Sequence, residues 1–576
     1  MNSMKDKWKT LEHSGPLFPK KYEYKKYRIS VAGKSIVLDE VAEEMAYAWA
    51  AKTNTPYIED SVFQKNFWKD FKPHLPKDLQ STKFPEDWDF SQIYSDILKT
   101  REEKKNLPKS VKDEEKKKRD ELKAIYGKAK LDGVEVELGA YIVEPSGLFM
   151  GRGQHPLRGR WKVQAQPEDI TINLSKGSRV PSPPAGHKWK EVVENKGAFW
   201  TSMWHDNLGG AQKRILFGAT SFVKQNADKK KFTKAITLAQ NWDKVVSHID
   251  QGLTSRDSFT RKVATVCKLI QTMSIRVGDE KEYESADTVG ASSLRVEHIK
   301  IDGNKIEFDF LGKDSIRYHN IVEFDINTVR NIKEFMNGKS KNDMIFEEIS
   351  SSDVAEFLSS VLPGLTAKLF RTASGSTLLA NALKSKDLDP SLKDTKKVEF
   401  FTQANLEVAI KLNHQSAVSD AYDESIDRMK ATLKSMKAEF ADLKTNLSKM
   451  IDEAKAERDN KIELAKGMKD PDRSKKSIKR AKDTFKAIEE KLQNKVEKMK
   501  DRIDTLETKI DIKKKTRGVA LGTSKLNYSD PRIPISWCKA NNVDIKRIYP
   551  VTAQKKFNWA LDVEPDFYKK YPMVED

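Results

Sequence analysis

The chain has 576 residues, 33% of them charged and 38% hydrophobic, with a formal net charge of +19. That length exceeds one hydrophobic core and predicts roughly three or four folding units. So basic a chain calls for an anionic partner, nucleic acid before a membrane surface. No run of 18 or more apolar residues is present, so nothing is expected to span a bilayer. The opening MNSMKDKWKTLEHSG lacks the apolar stretch of a secretory signal. The two cysteines, Cys267 and Cys538, form neither a zinc pattern nor a CxxC pair, which fits a reducing, intracellular setting.

Residues 1–14 read as a polar lead. Residues 15–223 are mixed in composition, with two loops rich in Gly and Pro: Glu144-Pro-Ser-Gly-Leu-Phe-Met-Gly-Arg-Gly-Gln-His-Pro156 and Val180-Pro-Ser-Pro-Pro-Ala-Gly-His187. Between the start of this region and those loops, residues 101–125 are charged and helix-prone. Residues 224–417 read as a second globular region. Val263, Val266, Ile270 and Met273 recur at helical spacing and predict one buried face. Ile299 and Ile301, then Asp302-Gly303-Asn304, then alternating Ile306, Phe308 and Phe310, predict a β-hairpin. Gly312-Lys313-Asp314 makes a second turn, and Ile316 to Phe324 a third strand.

Residues 418–515 differ in kind. Ile426, Met429, Leu433, Met436, Phe440, Leu443, Leu447, Met450 and Ala454 follow alternating steps of three and four, a heptad seam. Gly467-Met-Lys-Asp-Pro471 interrupts it. A second seam runs through Ile478, Ala481, Phe485, Ile488, Leu492, Val496, Met499, Ile503, Leu506 and Ile510, with one phase slip near 492–496. Two such helices joined by a short turn predict an antiparallel coiled-coil hairpin, roughly 60 Å long. Residues 516–576 form a compact, aromatic end.

Some chemistries are absent. Gly33-Lys34-Ser35 and Gly338-Lys339-Ser340 suggest phosphate loops, but Arg28 and Lys333 stand where the first glycine is needed. There is no HExxH motif and no Cys/His cluster, so neither ATP nor catalytic zinc is expected.

Longer motifs point elsewhere. They are Pro181-Ser-Pro-Pro-Ala-Gly-His-Lys-Trp-Lys190, Ile275-Arg-Val-Gly-Asp-Glu280, Ala286-Asp-Thr-Val-Gly290, Ser293-Leu-Arg-Val-Glu-His298, Phe308-Asp-Phe-Leu-Gly-Lys-Asp-Ser-Ile-Arg-Tyr318, Gly364-Leu-Thr-Ala-Lys-Leu-Phe-Arg-Thr372 and Ser524-Lys-Leu-Asn-Tyr-Ser-Asp-Pro-Arg532. In this order the chain resembles the eukaryotic type IB DNA topoisomerases, from about residue 15 to its end.

The resemblance implies a multidomain α+β protein: a two-lobed DNA clamp with a tyrosine-recombinase-like, mostly helical catalytic domain and an antiparallel coiled-coil linker. The cap lobe would be 15–223, the catalytic core 224–417, the linker 418–515 and the C-terminal domain 516–576. Tyr528 resembles the nucleophile, Arg276 and Arg371 the phosphate-binding pair, His414 the donor to a non-bridging oxygen, and Lys313 the general acid. Arg152, Lys190, Asp314 and Asn527 resemble DNA contacts, and Arg152, Asp314 and Asn527 also line the family's camptothecin pocket. Met150 departs from the pattern, since many members place arginine there.

The chemistry is coherent. A free tyrosine titrates near 10 and is a weak nucleophile at neutral pH. Two guanidiniums offer planar, paired donors to phosphate oxygens and can replace a metal. No residue stands out as general base. The implied reaction needs no ATP and no obligatory metal, with divalent cations as optional stimulants. The implied partner is double-stranded DNA, bound with weak sequence specificity by a monomer, with no membrane. A nuclear location is expected, or a cytoplasmic replication compartment for a viral source; the core starts almost at residue 1, which also admits a protist source. Two other readings remain: a tyrosine site-specific recombinase and a non-catalytic DNA-binding scaffold.

Overall fold

The computed structural model describes residues 6–278, 287–416, 418 and 421–574. They divide into two compact units, Met1–Phe370 with Val551–Leu561, and Arg371–Pro550 with Asp562–Asp576. Asp279, Glu280 and Ala286 of the motifs above lie outside the described residues.

In the first unit the polar opening residues are built into a sheet. Trp8 and Leu11 are buried, and Leu11–His13 pairs antiparallel with Lys128–Leu131, which pairs with Val134–Glu137. Their apolar sides join a core with Ile172, Trp204 and Ile215 from the four-stranded sheet that ends at Gln212–Leu216, and with Phe217 just beyond it. A second core is largely aromatic, with Trp49, Phe63, Phe67, Phe71 and Trp88. The charged stretch is two helices, Ser91–Asn106 and Lys109–Tyr126. Pro108 separates them, because the residue before a proline is driven out of the helical region. The second of these helices buries no side chain.

The helix Ser258–Met273 starts where the Asp257 carboxylate accepts the Thr260 N–H at 2.8 Å. It buries Val263, Val266, Ile270 and Met273, the face its spacing predicts. Ser274 ends it in the left-handed region at φ 52°. The strands Ile299–Asp302, Lys305–Gly312 and Ile316–Glu323 form the expected meander. Gly312 pairs with Ile316, so Lys313, Asp314 and Ser315 form the loop.

In the second unit, helices of 46 residues (Ala421–Lys466) and 45 residues (Pro471–Lys515) pack antiparallel. The Tyr422 hydroxyl donates to the Lys513 carbonyl at 2.8 Å, Lys437 pairs with Glu507 at 2.6 Å, and Ser474 donates to the Ala465 carbonyl at 2.7 Å. The apolar seam departs from the expected one at a single place. Met450 is 48% exposed, and Ile451 turns inward instead. The steps Leu443, Leu447, Ile451 are therefore both four. Arg458 lies over the Phe485 ring and Lys437 meets Glu507, so this level faces Ile488, Leu492 and Val496, where the other helix makes the same double step. Each helix thus carries a stutter at the same height, and the phase slips cancel across the pair.

Candidate active site

Tyr528 caps the short helix Leu521–Asn527 and is 5% exposed. Two devices fix that helix. The Ala520 N–H donates to the His414 carbonyl at 2.8 Å and the Ser416 N–H to the Gly518 carbonyl at 2.9 Å, an isolated β-bridge between the two segments. On the other side, Asn405 of the helix Asp394–Lys411 donates to the Leu521 carbonyl at 3.1 Å and accepts from the Ser524 hydroxyl at 3.2 Å. His414 and Tyr528 are therefore locked to one another through backbone. Their rings lie 5.0 Å apart.

Arg371 enters from the helix Ala367–Lys384 and is buried. Its guanidinium carbon lies 4.9 Å from the centre of the Tyr528 ring, a cation–π distance. Its Nη2 donates to the Leu412 carbonyl at 3.0 Å and contacts His414 Nε2 at 3.3 Å. A guanidinium has no acceptor, so Nε2 accepts that bond and its proton sits on Nδ1 in this arrangement. A tyrosine, an arginine and a histidine thus share one buried corner.

The other proposed groups, Asn527 apart, lie in the first unit. Exposed Arg276 follows the helix that Ser274 ends. Its carbonyl accepts the Ala291 N–H at 2.9 Å, while the Val289 N–H donates to the Leu311 carbonyl at 2.7 Å. One segment, 289–291, is therefore bonded both to Arg276 and to the strand two residues ahead of exposed Lys313. Gly278 and Gly290 permit this: a Cβ on Gly290 would come within 2.5 Å of the Gly278 nitrogen. The Arg295 guanidinium grips Asp287 through two bonds of 2.9 Å, tying together two of the sequence motifs.

Asp314, left-handed at φ 68°, pairs with Arg152. A Cβ on Gly153 would fall 2.2 Å from Ser315 Oγ, so only glycine lets these two loops touch. Met150, Arg152, His155, Thr288, Asp314 and Ser315 line a cavity of about 630 Å³. Lys190 is exposed next to Trp189, whose indole N–H bonds the Pro181 carbonyl at 2.7 Å. Asn527 is exposed in the second unit, beside Tyr528.

Sequence reasoning did not find Ser376. Fully buried, it donates to the Tyr528 carbonyl at 3.1 Å and accepts the Asp530 N–H at 2.9 Å. The small residues Ala373-Ser374-Gly375-Ser376 inside a helix were the available signal. They allow close approach, and a Cβ on Gly375 would already meet Leu412 at 3.1 Å. Lys525 was also unassigned. It donates to the Ile548 carbonyl at 2.6 Å, and burial holds its pKa below the usual lysine value. Among the described residues, no group of three or more His, Cys, Asp or Glu side chains is placed to hold a metal ion. No helix among them is long and apolar enough to cross a membrane.

A tyrosine beside an arginine and a histidine suits attack on a phosphate, the arginine meeting the charge that develops. Comparison with known proteins gives three family matches along the chain. Residues 6–217 match the eukaryotic DNA topoisomerase I DNA binding fragment, 220–447 its catalytic core, and 500–569 the C-terminal topoisomerase domain. The chain is 37% identical to DNA topoisomerase 1 alpha of Arabidopsis thaliana, over 97% of this chain and 59% of that protein. It is 35% identical to DNA topoisomerase 1 of Homo sapiens and of Mus musculus, over 98% of this chain and 72% of each. The chain belongs to the eukaryotic DNA topoisomerase I family. It spans about 59% of the length of its Arabidopsis relatives.

Proposed function

We propose that this protein is a type IB DNA topoisomerase that relaxes positive and negative supercoils without ATP or an obligatory metal. The observation that carries this is the buried corner of Tyr528, Arg371 and His414 in a chain of this family. Tyr528 Oη, its proton passing to water, attacks the phosphorus, the bond to the 5′-oxygen breaks, and a 3′-phosphotyrosine and a 5′-hydroxyl result. Arg371 and Arg276 stabilise the added negative charge of the transition state, and His414 turns to donate to a non-bridging oxygen. Lys313 protonates the departing 5′-oxygen. The new ester keeps the energy of the phosphodiester, so the 5′-hydroxyl reverses the step after the strand has rotated.

Around this site we assign a cap lobe at 15–223, a tyrosine-recombinase-like core at 224–417, a coiled-coil linker at 418–515 and a C-terminal domain at 516–576, closing as a clamp on duplex DNA. Arg152, Lys190, Asp314 and Asn527 would contact DNA. Binding would be as a monomer, weakly sequence-specific and steeply salt-dependent. Arg152, Asp314 and Asn527 would also take a camptothecin-type drug, read as drug-stabilised adduct. We assign the protein to the nucleus, where duplex DNA under torsional stress is its substrate. The test is plasmid relaxation in EDTA without ATP. Wild type should relax both supercoil signs, and Tyr528→Phe neither. Relaxation surviving in that variant would refute the assignment.

A further inference from the structure

Arg295 stands where three segments of the first unit meet. Its Nη1 and Nη2 donate to the two carboxylate oxygens of Asp287, each at 2.9 Å, and its Nε donates to Glu297 at 2.7 Å. Nη2 also lies 3.3 Å from His298 Nε2. A paired guanidinium–carboxylate contact fixes direction as well as distance. The root of the side chain is held too. Arg295 forms an isolated β-bridge with Met344, flanked by the Ile345 N–H on the Leu294 carbonyl at 2.8 Å and the Val296 N–H on the Asp343 carbonyl at 3.1 Å.

Asp287 is largely exposed, and an ion pair with one exposed partner adds little to fold stability. Its consequence is geometric. Two residues on, the Val289 N–H donates to the Leu311 carbonyl at 2.7 Å, and Lys313 stands two residues past Leu311. Thr288, between Asp287 and Val289, lines the same cavity as Asp314 and Ser315. The segment 287–289 thus braces the strand Lys305–Gly312 just ahead of its loop. Arg276 has separate ties. Its own carbonyl accepts the Ala291 N–H at 2.9 Å, the Val277 carbonyl the Ser292 N–H at 2.7 Å, and the Gly278 carbonyl the Ser292 hydroxyl at 2.8 Å. Loss of the grip on Asp287 leaves those bonds in place.

We propose that Arg295 is a positioning residue for Lys313: its two-bond grip on Asp287 sets where the loop 313–315 meets the departing 5′-oxygen. This deepens the general-acid reading of Lys313 and rests on it. Arg295 acts through the brace and does not touch DNA.

Single-turnover cleavage of a duplex carrying oxygen or sulfur at the 5′-bridging position tests it, because a thiolate departs without a proton. Arg295→Lys keeps the charge but loses the fork. It should slow cleavage of the oxygen strand roughly 10- to 100-fold, as expected for a misplaced group. On the sulfur strand it should stay within about threefold of wild type, with DNA affinity and its salt dependence unchanged. Asp287→Asn, on the exposed side of the pair, should behave alike, and it carries the test if Arg295→Lys misfolds by circular dichroism. Equal slowing on both strands would overturn the proposal, as would no slowing on either. So would weakened binding with a salt slope lower by about one, the mark of a lost phosphate contact. Lys313→Ala is measured alongside. If it too slowed both strands equally, the general-acid reading would fall; if it alone were rescued by sulfur, only the role of Arg295 would.

Discussion

Replacing Ser376 by alanine removes one hydroxyl that serves two backbone groups of the nucleophile's segment. Its donation to the Tyr528 carbonyl at 3.1 Å and its acceptance from the Asp530 N–H at 2.9 Å are both lost in a fully buried place. A buried backbone group deprived of its partner costs about 1–3 kcal/mol, and some relaxation is expected. We therefore expect about 2–3 kcal/mol of local destabilisation, which makes opening of the segment roughly 30- to 150-fold more populated. Hydrogen exchange of peptides covering 521–532 reads this directly, because the Asp530 amide reports its own bond. Exchange there should accelerate by that factor, while the hairpin 305–323 stays unchanged. DNA cleavage should slow, since the Tyr528 ring loses its fixed place between Arg371 and His414. Exchange and cleavage both within twofold of wild type would refute the reasoning.

Lys313→Ala should slow cleavage of an ordinary strand roughly 10²- to 10⁴-fold. It should leave nearly unchanged a substrate whose 5′-bridging oxygen is sulfur, because a thiolate departs without a proton; equal slowing on both would exclude the general-acid role. His13 titrates at about 4 because burial disfavours its charged form, and its nitrogens bond the Asn173 carbonyl at 3.1 Å and the Gly15 N–H at 3.0 Å. Its folded pKa is depressed, so its stabilisation is present above about pH 6.5 and is lost as pH falls towards 4. Thermal melts should show a loss of about 2–3 kcal/mol over that window, absent in His13→Gln; parallel pH profiles would contradict this. Deleting 425–510 should preserve relaxation but make it faster per event and more distributive as salt rises, and an unchanged salt profile would remove DNA approach from the helical pair's role.

Much of the fold was legible where periodicity is simple. Alternation through Ile306, Phe308 and Phe310 gave the hairpin, and the spacing of Val263 to Met273 gave a buried face. The helical pair was legible up to Met450, where two apolar neighbours, Met450 and Ile451, leave the seam ambiguous. The facing stutter at Leu492 decides between them, and a linear reading cannot see which residues face one another. The opening residues looked merely polar because their contribution is two side chains, Trp8 and Leu11, whose partners lie more than 100 residues away. Within the site, motifs supplied the chemical groups but not their supports. Ser376, Asn405 and the bridge between Gln415 and Val519 act through hydrogen bonds across 100 residues or more, and such bonds leave no local pattern.

The central claim is that Tyr528 carries the DNA. The most direct measurement is to trap the adduct with denaturant during relaxation, digest protein and DNA, and identify the modified peptide and its linkage by mass spectrometry. A 3′-phosphate nucleotide esterified to Tyr528, within the peptide that contains Asn527 and Ser529, is expected. A nucleotide on any other residue, or one joined through its 5′-phosphate, would contradict it.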